Sequence, residues 1–185
     1  MKVFDFKGNK IDEIKDFNFN TFYIENFYDK KLSKNYIITA NFGYLKSYEF
    51  VGSRIIHKYY EEDDNSGHLN LVIFSTNDTV KLIESSNDGI IRIWEFHTCK
   101  LLNKFKICNE SLICICLWNE EYIFIGCQDK TIKLIDLNKN IIINNLICHN
   151  SEVVTIKKIY IQEYGECLIS QGYEKEPIKL WVCKI

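Results

Sequence analysis

The chain has 185 residues, a net charge of −2 and 46% hydrophobic residues, including 12 Phe and 11 Tyr. That composition excludes an extensively disordered chain and gives no general attraction to nucleic acid or an anionic membrane. No run approaches the roughly 18 apolar residues of a membrane span, and residues 1–16, MKVFDFKGNKIDEIKD, hold no apolar stretch of signal-peptide length. The expected location is therefore intracellular, cytoplasmic or nuclear. The 8 Cys are scattered, mostly inside apolar segments such as LICICLW at 112–118. In a reducing compartment they read as small core hydrophobes, not as a disulfide framework.

Taken in chain order, the sequence reads as short strands in a repeating unit. KVFDF at 2–6 is followed by KIDEIKD, Lys10 to Asp16, a candidate outer strand. A weak unit follows, with the turn Asn41-Phe42-Gly43 and then KSYEF at 46–50. Next come Leu69 to Ser75, Val80 to Ser86, Ile90 to Phe96 and Leu101 to Lys106, short runs rich in β-branched and aromatic residues. The order then repeats as SLICICLW, YIFIGC, TIKLIDL and IIINNLI, and a last unit ends in KLWVC at 179–183. Several runs are apolar at every position, as expected of strands covered on both faces. No stretch has a sustained helical period.

Five segments mark the repeat: KVFDF, KSYEF, RIWEF, KLIDL and KLWVC, each opening on a basic residue. Their third positions, Phe4, Tyr48, Trp94, Ile135 and Trp181, are 44, 46, 41 and 46 residues apart. A period of about 40–45 is that of a four-stranded propeller blade. The unit from Gly67 to Phe96 then carries Gly67-His68, the turn Asn87-Asp88-Gly89 and Trp94-Glu95. The next keeps Asp129 and Asp136, with Ile107-Cys108 where Gly-His would fall. The last keeps Cys148-His149 and Trp181, and GYEKEP has no turn Asp.

On those residues the chain resembles the WD-repeat β-propeller family over nearly its whole length. The resemblance implies an all-β fold of about four four-stranded antiparallel blades in an incomplete ring. The units are a partial one at 1–16, blades at about 19–60, 69–107 and 111–148, and an incomplete blade at 152–184. Closing the ring with Lys10 to Asp16 would give only four blades, fewer than the family's usual number. The expectation is a partial propeller, completed by another chain or by sequence beyond this one. In the family a His, a turn Asp, a second-strand Ser or Thr and the Trp form a buried network. Carried over, these are His68, Ser86, Asp88 and Trp94. Their expected role is structural, because buried polar groups must pair.

Little in the sequence suggests chemistry. There is no Gly-rich phosphate loop, no zinc-protease motif around the four His, and no Cys-x-x-Cys pair. Cys114 and Cys116 fall on one strand face and read as core. No catalytic, cofactor or metal site is expected. Lys30, Lys31 and Lys34, and Lys157 with Lys158, are the only tight basic groups, and neither is interleaved with an aromatic stacking platform. Arg54 and Arg92 are too far apart for the paired-arginine motif of phosphoinositide-binding propellers. The expected function is a non-enzymatic protein-interaction scaffold within a larger intracellular complex. The alternative is a subunit of an RNA-associated complex of the ribosome-assembly or splicing type. A catalytic propeller is the remote third reading and needs a deep pocket with convergent ionisable groups. The candidate partner face holds the acidic loop Glu61, Glu62, Asp63 and Asp64, with Asn87, Asn109, Glu110, Gln128, Lys130, Asn150 and Glu152. Its partners are expected to be proteins or peptides, with no direct binding to nucleic acid or membrane.

Overall fold

The computed structural model describes residues 2–4, 7–13, 21–49, 54–60, 66–147 and 149–182. Every regular element among them is a β-strand. The chain divides into two compact units, Met1–His68 and Leu69–Ile185.

In the first unit β1 (Lys2–Phe4) and β2 (Lys10–Glu13) form an antiparallel pair. A four-stranded antiparallel meander follows: β3 (Tyr23–Asp29), β4 (Lys34–Ala40), β5 (Leu45–Glu49) and β6 (Arg54–Tyr59). β3 alternates between exposed and half-buried residues along most of its length, as one-sided burial requires. β5 is buried over its first four residues, which carry Tyr48 at the anchor position. The Asn41–Gly43 turn reaches the segment before the next sheet: Phe42 bridges Gly67, and the His68 amide donates to the Asn41 carbonyl at 3.0 Å.

The second meander is β7 (His68–Ser75), β8 (Val80–Ser86), β9 (Ile90–Glu95) and β10 (Leu101–Lys106). The third is β11 (Leu112–Leu117), β12 (Tyr122–Cys127), β13 (Thr131–Asp136) and β14 (Ile141–Ile147). The last sheet has three strands, β15 (Val153–Ile161), β16 (Gly165–Gly172) and β17 (Lys179–Val182).

Inside the Leu69–Ile185 unit these sheets pack face to face. Ile83, Ile91 and Ile93 meet Ile115, Ile123, Ile125 and Ile135 in one apolar layer. Cys114, Cys116 and Ile132 meet Val153, Ile156 and Leu168 in the next. The alternation of side chains along a strand sends Ile115 to one layer and Cys114 and Cys116 to the other. A strand covered on both faces has no polar side to show, which is why LICICL is apolar throughout. Cys114 is 4% exposed, its thiol donates to the Val153 carbonyl at 3.4 Å, and burial pushes its pKa up to about 12. It is a protonated packing residue at neutral pH. Among the described residues no group of three or more His, Cys, Asp or Glu is placed to hold a metal ion, and no helix is long and apolar enough to cross a membrane.

Candidate interaction face and its hydrogen-bonded base

The turn between β8 and β9 is fixed by its carboxylate. Asp88 accepts from the Ser86 hydroxyl, from the Ile90 amide at 3.1 Å and from Arg92 at 2.9 Å. Arg92 also donates to Ser86 at 3.0 Å and lies 3.6 Å from Glu84. Hairpin register sets Glu84 directly opposite Arg92 on the same sheet face. The Arg92 side chain is only 2% exposed and that of Glu84 is fully buried. Burial pushes the Asp88 carboxyl up, and the Arg92 and Ser86 hydrogen bonds with the guanidinium charge outweigh it, so the group ends below its usual range.

The next sheet repeats the arrangement with different residues. Asp129 accepts from the Thr131 amide at 3.1 Å, the Thr131 hydroxyl at 2.6 Å and Lys133 at 2.6 Å. Lys133 donates to Thr131 at 2.7 Å as well. In both sheets the cation stands four residues after the turn Asp. It is the basic residue that opens RIWEF and KLIDL. The sequence showed that residue in every repeat without indicating a partner for it.

The last sheet uses a histidine instead. His149 sits between Ser170, 2.8 Å from its Nε2, and Glu176, 2.8 Å from its Nδ1. The Trp181 indole donates to Ser170 at 2.8 Å. GYEKEP therefore does keep a turn carboxylate: Glu176, one methylene longer than the Asp sought there, reaches back to His149, the Asn150 amide and the Ser151 hydroxyl. The Asn150 amide leads in holding the Glu176 carboxyl down at about 2, from an ordinary 4.5. A carboxyl lowered on folding stabilises fully above its unfolded value, and that contribution fades as pH falls from 4.5 towards 2. Glu176→Gln is accordingly expected to lower the urea midpoint at pH 7 and to flatten its decline between pH 5 and 2. Parallel midpoint–pH curves for the two proteins would refute this role.

Among the residues carried over from the family, Ser86 and Asp88 are bonded to each other. Trp94 is buried, and His68 is buried at the end of the other unit. The face residues of the Leu69–Ile185 unit lie on loops stitched to these turns. Ser111 donates to the Asn87 carbonyl at 3.4 Å, the Gln128 amide to the Ser111 carbonyl at 2.9 Å, and the Ile107 amide to the Gly89 carbonyl at 2.9 Å. The turn at 87–89, the loop at 107–111 and the turn at 128–130 are thus one cluster. The Tyr173 amide donates to the Glu152 carbonyl at 2.8 Å, joining the loop at 149–152 to the turn at 173–176. Asn87, Asn109, Glu110, Gln128, Lys130 and Asn150 are exposed and Glu152 is half-buried. Glu61, Glu62, Asp63 and Asp64 lie outside the described residues. Lys158 lies over an aromatic ring of the neighbouring sheet, 4.7 Å from the Trp118 centroid, while donating to the Trp118 carbonyl at 2.8 Å and to Glu166 at 2.6 Å. Hairpin register places Lys158 opposite Leu168, and the Trp118 ring comes from the neighbouring sheet, so linear sequence hid the pairing.

No protein-family model matches this sequence, and no curated protein matches it. Solved structures do. The chain is similar to the WD40 repeats of RRP9, with a TM-score of 0.74 and 15% identity over 91% of this chain and 49% of that one. It is similar to U3-55K at 0.75 and 15%, over 92% of this chain and 51% of that one. It also matches the computationally designed Ika4 protein at 0.68 and 14%, over 93% and 96% of the two chains. The chain spans about half of the RRP9 and U3-55K structures. With the antiparallel meanders, these likenesses show the fold class, a β-propeller similar in fold to WD40 repeat structures.

Proposed function

We propose that the chain is a non-enzymatic scaffold of an intracellular complex, holding a partner protein on the loops at the Asp88 and Asp129 side of its sheets. The observation that carries this reading is the contrast within that side. Exposed Asn87, Gln128 and Lys130 stand on turns whose carboxylates are locked to buried cations. Exposed Asn109, Glu110 and Asn150 stand on loops hydrogen-bonded to those turns or, for Asn150, to the turn holding Glu176. Loops on a rigid base are suited to recognition, since little order remains to be gained on binding. The partner segment is basic, and Glu61, Glu62, Asp63 and Asp64 raise its association rate more than its affinity.

The test starts from a partner recovered by affinity purification from native cells. Replacing the four acidic residues with Ser and Asn is expected to slow its association and reduce the salt dependence of the rate, with the circular dichroism spectrum unchanged. An association rate and salt slope equal to those of the unsubstituted chain would remove the acidic loop from the mechanism.

A further inference from the structure

The last two sheets leave a groove between them of about 500 Å³. Ile143 and Leu146 line one wall, Trp181 and Val182 the other, and Trp118 and Tyr122 one end. Among the described residues no charged side chain lines it. Its position follows from strand number. The three preceding meanders have four strands, whereas β15, β16 and β17 make a sheet of three. Among the described residues no strand of the Leu69–Ile185 unit pairs with the outer side of β17, so the outer strand β14 of the neighbouring sheet has no described strand opposite it. Ile143 is 48% exposed, and Leu180 on β17 is 46% exposed.

The groove is chemically uneven along its length. Val182 pairs with Cys167, which places the Trp118–Tyr122 end beside Glu166. Glu120 and Glu121, immediately before Tyr122, are exposed and make no ion pair among the described residues. Glu166 is already matched by Lys158. The apolar floor excludes a charged occupant along its middle, and the two unmatched carboxylates favour a cation at this one end.

We propose that this groove binds an extended segment of a partner protein, apolar at alternating positions and headed by one or two basic residues. The segment lies antiparallel beside β17, which runs from Lys179 towards Val182. Its N-terminal end then meets Glu120 and Glu121, and every second side chain enters the groove. The inference rests on the scaffold reading but concerns a different surface from the loop face. It is tested with purified chain and a synthetic peptide, so that either idea can fail alone.

The probe is a fluorescein-labelled peptide KRVTVTV, followed by anisotropy and by tryptophan emission. Saturable binding is expected, with a shift in tryptophan emission. The peptides EEVTVTV and KRSTSTS are expected to bind about tenfold more weakly or worse. Ile143→Asp, at an exposed position that should still fold, is expected to cost a similar factor. Glu120→Gln with Glu121→Gln is expected to weaken KRVTVTV about threefold and reduce its salt dependence, leaving EEVTVTV no weaker. Absence of saturable binding, equal affinity for the Lys-Arg and Glu-Glu peptides, or unchanged affinity in folded Ile143→Asp would each overturn the proposal. So would sedimentation showing a dimer that Ile143→Asp dissociates, because a second copy would then fill the groove.

Discussion

Arg92→Ala is expected to destabilise the chain by about 3–5 kcal/mol, the usual result of removing one partner from a buried ion pair. Arg92 lies among Glu84, Ser86 and Asp88, and its side chain is 2% exposed. Without the guanidinium, Glu84 stays in a fully buried position opposite residue 92, and Asp88 keeps only the Ser86 and Ile90 bonds among those described above. The alanine also leaves a void where the arginine stem lay. The magnitude measures the stranded carboxylates, not the net value of the pair, and that distinction can be checked. Glu84→Gln combined with Arg92→Met removes both charges at similar volume and is expected to recover most of the loss. The Lys133→Ala change should be milder, since Lys133 contacts one carboxylate, Asp129, at a side chain 29% exposed. Urea unfolding followed by tryptophan fluorescence gives all three values. A loss below about 1 kcal/mol for Arg92→Ala, or no recovery in the double variant, would contradict this account.

What could be read from the sequence was what repeats along the chain. The anchors from Phe4 to Trp181 recur because every third strand needs a large residue in the same place, and that demand survives drift at the other positions. The strands were legible because LICICL and IIRIWE are too apolar and too β-branched for a surface loop. Contacts set by register were not legible. Nothing in VKLIESSNDGIIRIWE states that Glu84 lies opposite Arg92 until the turn at 87–89 fixes the hairpin. Glu176 was missed because the search was for an Asp at one spacing, while a longer side chain two residues before Ile178 reaches the same histidine. The groove was invisible for another reason. It depends on how many strands stand beside β17, three being described in that sheet, and IIINNLI reads identically whether its neighbouring sheet has three strands or four.

Gly89→Ala is expected to cost about 2–5 kcal/mol, from two separable causes. Gly89 has φ of +77°, where a Cβ costs roughly 1–2 kcal/mol. A Cβ there would also lie 2.1 Å from the Cys108 carbonyl oxygen and 2.9 Å from its carbon. Those are backbone atoms, so the whole loop at 107–110 must move, an overpacking penalty of about 1–3 kcal/mol. Lys130 shows that the first cost alone can be borne, for it holds the matching place after Asp129 at φ of +71°. Gly89→Asn separates the two contributions. Asparagine tolerates the left-handed region but carries the same Cβ, so its loss should stay within about 1 kcal/mol of that of alanine. Because the Ile107 amide donates to the Gly89 carbonyl at 2.9 Å, its hydrogen exchange should accelerate in both variants, ahead of amides in β12. If Gly89→Asn is nearly neutral while Gly89→Ala is not, backbone conformation is the cause and the approach of the 107–110 loop is looser than 2.1 Å implies.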